Sequence, residues 1–219
     1  MIEILEIKSK LLERNNLVYR TQLDVFKEEP HTNVEWFNIA LTNMVHSNIA
    51  AFIKMMEDEN FFMARAIIRM QLNCLMRLFS IFIIQPKVTW IERILFSEDC
   101  WKSKITKNSK NISITDSFLC EELQNNKILP SAKDLYKKYS KFIHPSNFHF
   151  NEAVEKWYNH NNSIEWATKI NITGKSRLSK EEIIICYEHM IKITDKIIEY
   201  MKQTKQQNSF PKYRLATKI

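Results

Sequence analysis

Four stretches of this chain place apolar residues at the 3.6-residue spacing of an α-helix. Over residues 2–28, Ile4, Ile7, Leu11, Leu12, Val18 and Val25 share one face, and Lys8, Lys10, Glu13 and Arg14 take the other. Pro30 stops this pattern. Thr32, followed three residues later by Glu35, has the form of a capping box and opens a second helix through about Glu59. Its predicted core face is Phe37, Leu41, Met44, Val45, Phe52 and Met55 or Met56. The connection is short, which predicts an antiparallel helical hairpin.

Residues 61–84 read as a third helix, apolar on nearly every side: Ile67, Ile68, Met70, Leu72, Leu75, Leu78, Phe79, Ile81 and Phe82. Such a helix belongs in a core. Its one polar stripe, Arg65, Arg69, Asn73 and Arg77, recurs every four residues and must find partners. The stripe has two readings. It lines a cleft and holds phosphate or carboxylate through Arg65 and Arg69, or it pairs with acids on neighbouring helices such as Glu57, Asp58, Glu188 or Asp195. The three arginines also argue against a membrane span at Phe61–Gln85.

Beyond Pro86 the periodicity weakens. Residues 88–97 fit a short helix with Trp90, Ile91, Ile94 and Leu95 inward. Trp101–Thr115, with four lysines and no acid, reads as an exposed loop, and Asp116–Asn126 as another short helix. Ser131 and Asp134 cap a helix from Ala132 to about Ile143, halted by Pro145. Residues 146–178 alternate apolar and polar positions and fit a small hairpin, coil or short helix. Ser179 and Glu182 form a second capping box, for a long helix to about Lys205. Its apolar face runs from Ile183 to Met201, and residues 206–219 form a basic tail. The expectation is an all-α helical bundle of four long helices: one domain over residues 1–205, with an insertion at about 86–178.

Composition sharpens this. The only glycine is Gly174, too few for an all-β fold or for phosphate-cradling loops of the GxGxxG or GxxxxGK[ST] type. Four cysteines (Cys74, Cys100, Cys120, Cys186) form no CxxC pair, so neither a zinc site nor a redox motif is indicated. His144, His149 and Glu152 lack metal-ligand spacing, and no metal or other cofactor is expected. The amino terminus has no signal-peptide core. Together with reduced thiols, this leads to the expectation of a cytoplasmic protein. A net charge of +7 favours acidic partners, nucleic acid first among them.

The segment Leu135-Tyr136-Lys137-Lys138-Tyr139-Ser140-Lys141-Phe142-Ile143-His144-Pro145-Ser146 carries the candidate chemistry. On a helix, Lys137, Ser140, Lys141 and His144 share a face. His144 would be the catalytic acid and base, Ser140 would orient it, and Lys137 and Lys141 would contact phosphate. This is the minimum for metal-independent RNA cleavage. The same residues also read as a solvated lysine face on which His144 only ends a helix.

Tyr139-Ser140-Lys141-Phe142-Ile143-His144-Pro145-Ser146 resembles the Y-x-x-LS-x-x-VHPS segment of an uncharacterised family of bacterial helical proteins. Ala64–Asn73 is similar to that family's R-x-x-x-E helix. Both resemble the HEPN-like bundles, which include RNases of toxin–antitoxin and phage-defence systems. The resemblance implies a helical bundle, a homodimer, an RNA-directed role and a cognate protein partner. Two positions depart from the pattern: Asn73 stands where the family has glutamate, and no arginine precedes His144 at the HEPN spacing. The rival reading is a non-catalytic bundle serving protein association.

Overall fold

The structure is a computed structural model, and it describes residues 2–25, 32–85, 87–96, 104–107, 110–143 and 178–206. Among them, in chain order, are α1 (Ile2–Val25), α2 (Asn33–Glu57), α3 (Phe61–Ile83), α4 (Lys87–Phe96), β1 (Lys104–Lys107), β2 (Lys110–Ser113), α5 (Asp116–Asn125), α6 (Ala132–Ser140) and α7 (Lys180–Gln206). The four long helices form a bundle. α1 packs on α2 and α7, and α3 packs on the same two from the other side. α4, α5 and α6 lie against the remaining surface of α3. The chain is an all-α helical bundle, as its periodicity predicts, and the described residues add one small hairpin.

Local chemistry sets the helix ends. Thr32 accepts from the Glu35 backbone N–H (3.3 Å), and Glu35 accepts from the Thr32 backbone N–H (2.7 Å). Ser179 and Glu182 repeat the reciprocal pair at 3.2 and 2.9 Å. Both boxes satisfy amide donors that the first helical turn leaves free. Thr115 caps α5 through the Phe118 amide at 3.2 Å. Ser131 stands at the N-cap of α6 but makes no side-chain cap bond. Its hydroxyl accepts from Lys192 Nζ at 3.4 Å instead.

In a chain so poor in glycine, other residues must make the left-handed turns. α2 ends with the Asn60 amide bonded to Met55 O (2.8 Å) and the Glu59 amide to Met56 O (3.3 Å). α5 ends likewise, Ile128 to Leu123 O and Lys127 to Gln124 O, both 3.0 Å. These are Schellman motifs, in which glycine is favoured at the position with positive φ. Here Glu59 and Lys127 occupy it, each at φ 57°. Lys127→Gly should therefore raise stability by up to about 1 kcal/mol, the relief of Cβ strain less the added unfolded-state entropy. Urea melts of the two proteins check this; a destabilised glycine variant would refute it.

α3 is the hub. Ile68, Leu72, Leu75, Met76, Leu78 and Ile81 are fully enclosed. It is long and apolar enough to cross a membrane by length and composition, yet most of its surface is covered by neighbouring helices. A buried polar chain crosses the bundle at its middle. Asn48 of α2 donates to Gln71 Oε1 (3.1 Å), and Gln71 Nε2 donates to Thr194 of α7 (3.0 Å). Asn38 and Thr204 join α2 to α7 again at 2.9 Å. Trp90 fastens α4 to α3 through Ser80 Oγ at 2.7 Å.

Two expectations change. Leu12 and Met44, assigned to inward faces, are exposed. Leu11 and Val18 fill the inward face of α1 as expected, and Ile49 and Ile53 join that of α2. Trp101–Thr115 is not all loop: β1 and β2 pair antiparallel, Ile105 opposite Ile112 and Lys107 opposite Lys110. The β-branched Ile105, Thr106 and Ile112 favour pleated backbone, and Ile114 buries itself immediately after β2. The hairpin considered within residues 146–178, and the basic tail after Gln206, lie outside the described residues.

Candidate functional site

α5 and α6 lean on α3 where the arginine stripe emerges. Arg69, only 4% exposed, spends its whole guanidinium on protein partners. Nε donates to Ser140 Oγ (3.1 Å), Nη2 to Asp116 Oδ2 (2.9 Å) and Nη1 to Asn73 Oδ1. The ring of Tyr136 lies 4.1 Å from its Cζ. Arg77 reaches the other oxygen, Asp116 Oδ1, at 3.1 Å. One carboxylate thus holds two guanidiniums. Asp116 is the first residue of α5, where the helix dipole also favours negative charge. Arg77 Nη1 is buried with no hydrogen-bond partner among the described residues.

Acid pairing is therefore the role seen for Arg69 and Arg77, with an acid other than those considered from sequence. Glu57 pairs with Lys8, Asp58 with Lys54 and Asp195 with Arg14. Asp116 lies far along the chain from α3, and nothing in the spacing of the stripe singles it out.

Arg65 behaves differently. It is half-buried, donates from Nε to the Phe61 carbonyl at 3.0 Å and lies 4.2 Å from the Phe142 ring centroid. Lys141 Nζ approaches the same ring at 5.3 Å, and Phe62 meets it edge-on at 5.6 Å. Lys138 lies over Tyr139 at 5.6 Å. The buried rings of Tyr139 and Phe142 thus hold Arg65, Lys138 and Lys141 about the carboxyl end of α6, cations drawn to aromatic rings. Lys137 is exposed on the same short helix.

The helical face predicted for Lys137, Ser140, Lys141 and His144 is not continuous. α6 ends at Ser140, and residues 141–143 form a tighter turn, with Phe142 bonded to Tyr139 O and Ile143 to Ser140 O. Ser140 turns inward to Arg69 while Lys137 and Lys141 remain exposed. His144, with His149 and Glu152, lies outside the described residues.

Sequence reasoning missed His189. Its Nδ1 is 2.7 Å from the Tyr139 hydroxyl, joining α7 to α6. Burial, followed by the charges of Lys138 and Lys192, lowers its pKa to about 4. Burial also pushes the Tyr139 phenol upward. The phenol therefore keeps its proton and donates to a neutral imidazole. Because the folded-state pKa lies below the ordinary 6.5, the unfolded chain binds the extra proton first as pH falls. Stability contributed by neutral His189 is whole above about pH 6.5 and is lost between there and about pH 4. Melting temperatures across this window should fall less steeply in His189→Gln than in the native protein; superimposable slopes would refute this.

The thiols of Cys74 and Cys120 are buried, and burial pushes each up to about 12. A thiol so far from its thiolate is a poor nucleophile. Cys186 is also buried and reduced. Comparison with protein-family models, with curated proteins and with solved structures gives no match for this chain.

Proposed function

We propose that the protein acts on RNA, holding its phosphate backbone along the edge formed by Arg65, Lys137, Lys138 and Lys141, in a HEPN-like role in phage defence or toxin–antitoxin biology. One observation carries the reading: Arg65 from α3 and Lys141 from the end of α6 both lie against one buried ring, Phe142. Cations gathered on one surface raise its positive potential and so favour a polyanion as partner. Lys138 and Lys192 add to the burial that lowers the His189 pKa, so positive charge lies on the α7 side as well. In the enzymatic form of this role, His144 follows the edge directly in sequence and serves as acid and base for attack by the ribose 2′-hydroxyl. Arg69 and Ser140 then support the edge from within, since their polar groups bond each other and Asp116.

The test is binding of labelled single-stranded RNA at increasing salt. Each lysine that neutralises a phosphate adds about 0.7 to the log–log salt slope. Lys137→Glu with Lys141→Glu should flatten the slope and weaken binding at low salt, with the melting temperature unchanged. Equal binding by the variant, or no binding by the native protein at low salt, overturns the proposal. Cleavage in the presence of EDTA that His144→Ala abolishes supports the enzymatic form, and its absence from the native protein removes that form.

A further inference from the structure

α1 buries Leu11, Val18 and Thr21 in the bundle, with Ile4 and Ile7 half-buried beside them. Its opposite side is also apolar. Ile2, Leu5, Leu12, Tyr19 and Leu23 are between 43% and 75% exposed. With Ser9 and Asn16 they occupy positions 2, 5, 9, 12, 16, 19 and 23, the alternating three-and-four spacing of a coiled-coil seam. Among the described residues, α1 has packing partners on only one of its two apolar faces.

The neighbouring surface of α2 continues this face. Lys8 with Glu57 (2.6 Å) and Asn15 with His46 (2.6 Å) fasten α1 and α2 side by side. Between Glu35 and Lys54, α2 has no Asp, Glu, Lys or Arg, and its exposed positions are apolar (Trp36, Ala40, Met44, Ala50 and Ala51) but for the uncharged Asn43 and Ser47. Two such helices present a face of about 36 by 20 Å, roughly 700 Å². A stable interface buries about 800 Å² on each partner.

We infer that the outer face of the α1–α2 pair binds a second copy of this chain, α1 lying antiparallel on α1 about a twofold axis. The rim charges select this occupant. On the side of the seam away from α2, Glu6 and Glu13 lie toward the start of α1 and Arg20 toward its end. Neither Glu6 nor Arg20 makes an ion pair among the described residues. In an antiparallel pair, equivalent rim positions face each other in reverse order, so Glu6 of each copy meets Arg20 of the other, two attractive contacts that outweigh the single Glu13–Glu13 contact at the axis. In a parallel pair this rim would instead face the α2-side rim, where Lys8 is already held by Glu57. α6 packs on α3 and α5, so pairing through α1 leaves a basic edge open on each copy. The inference uses α1 and α2 alone and stands whether or not that edge binds RNA.

Sedimentation equilibrium of the full chain tests it. The native protein should weigh twice the 26.2 kDa chain. Leu12→Glu, at an exposed position, should give the single-chain mass with unchanged helical circular dichroism and melting of the monomer. Leu5→Lys should do the same, so that misfolding of one variant does not decide the outcome. Arg20→Glu should weaken dimerisation roughly tenfold, and adding Glu6→Arg should restore it. A native monomer, a dimer indifferent to both Leu12→Glu and Leu5→Lys, or a charge-swapped double variant no tighter than Arg20→Glu alone overturns the inference.

Discussion

Asp116→Ala is expected to destabilise the protein by about 3 kcal/mol, lowering its melting temperature by roughly 6–12 °C for a domain of this length. The carboxylate is the shared counter-charge of Arg69 and Arg77, and Arg69 is almost wholly buried. Removing it leaves two guanidiniums facing each other with no anion between them. The figure sits at the low end of the range for breaking buried pairs because the Asp116 side chain is 28% exposed, so water can partly replace it. The pair itself is not a net source of stability. A triple variant, Asp116→Leu with Arg69→Met and Arg77→Met, should recover most of the loss, because it removes the desolvated charges together with their partner. If the single alanine melts like the native protein, the network is not holding α5 against α3.

The second large effect is expected at Gln71. Its side chain is fully enclosed and joins three helices through Asn48 and Thr194. Gln71→Met keeps the volume but removes both amide groups. Asn48 Nδ2 is then left with only the weak Cys74 Sγ contact at 3.6 Å, and Thr194 Oγ1 loses its donor. Two buried polar groups each robbed of a hydrogen bond, Thr194 keeping only its bond to Met190 O, should cost about 2–4 kcal/mol, read from the midpoint of a urea melt. A double-mutant cycle with Asn48→Leu should show coupling, because once Asn48 is gone only Thr194 remains to be orphaned. Additive losses would mean that the amide does not bridge the helices.

The surfaces on which the proposed function and the inferred dimer depend were legible to different extents. The lysines of α6 stand together in the sequence, so their basic face could be read directly, and Arg65 was a candidate for phosphate from its stripe. That Arg65 belongs with Lys141, whereas Arg69 belongs with Asp116, depends on how α6 and α5 cross α3. A four-residue stripe spans a narrow arc, and small rotations of the packed helices decide which guanidinium is sealed and which reaches the edge. The exposed seam of α1 was hidden for a related reason. Its seven-residue spacing overlaps that of the inward face, so Leu12 was assigned inward beside Leu11, although the two point about 100° apart.

Local interactions made the rest readable. Thr32 with Glu35 and Ser179 with Glu182 mark helix starts because a capping box closes within one turn, whatever packs around it. The periodicity of Phe61–Ile83 foretold a central helix because no chain can leave so many apolar side chains in water. Pairings across the bundle obey no such local rule. Asp116 with Arg69, Gln71 with Thr194 and Tyr139 with His189 join residues far apart along the chain. Each exists only because helix crossings bring two particular faces within hydrogen-bonding distance, and spacing along one segment carries no information about the face that will meet it.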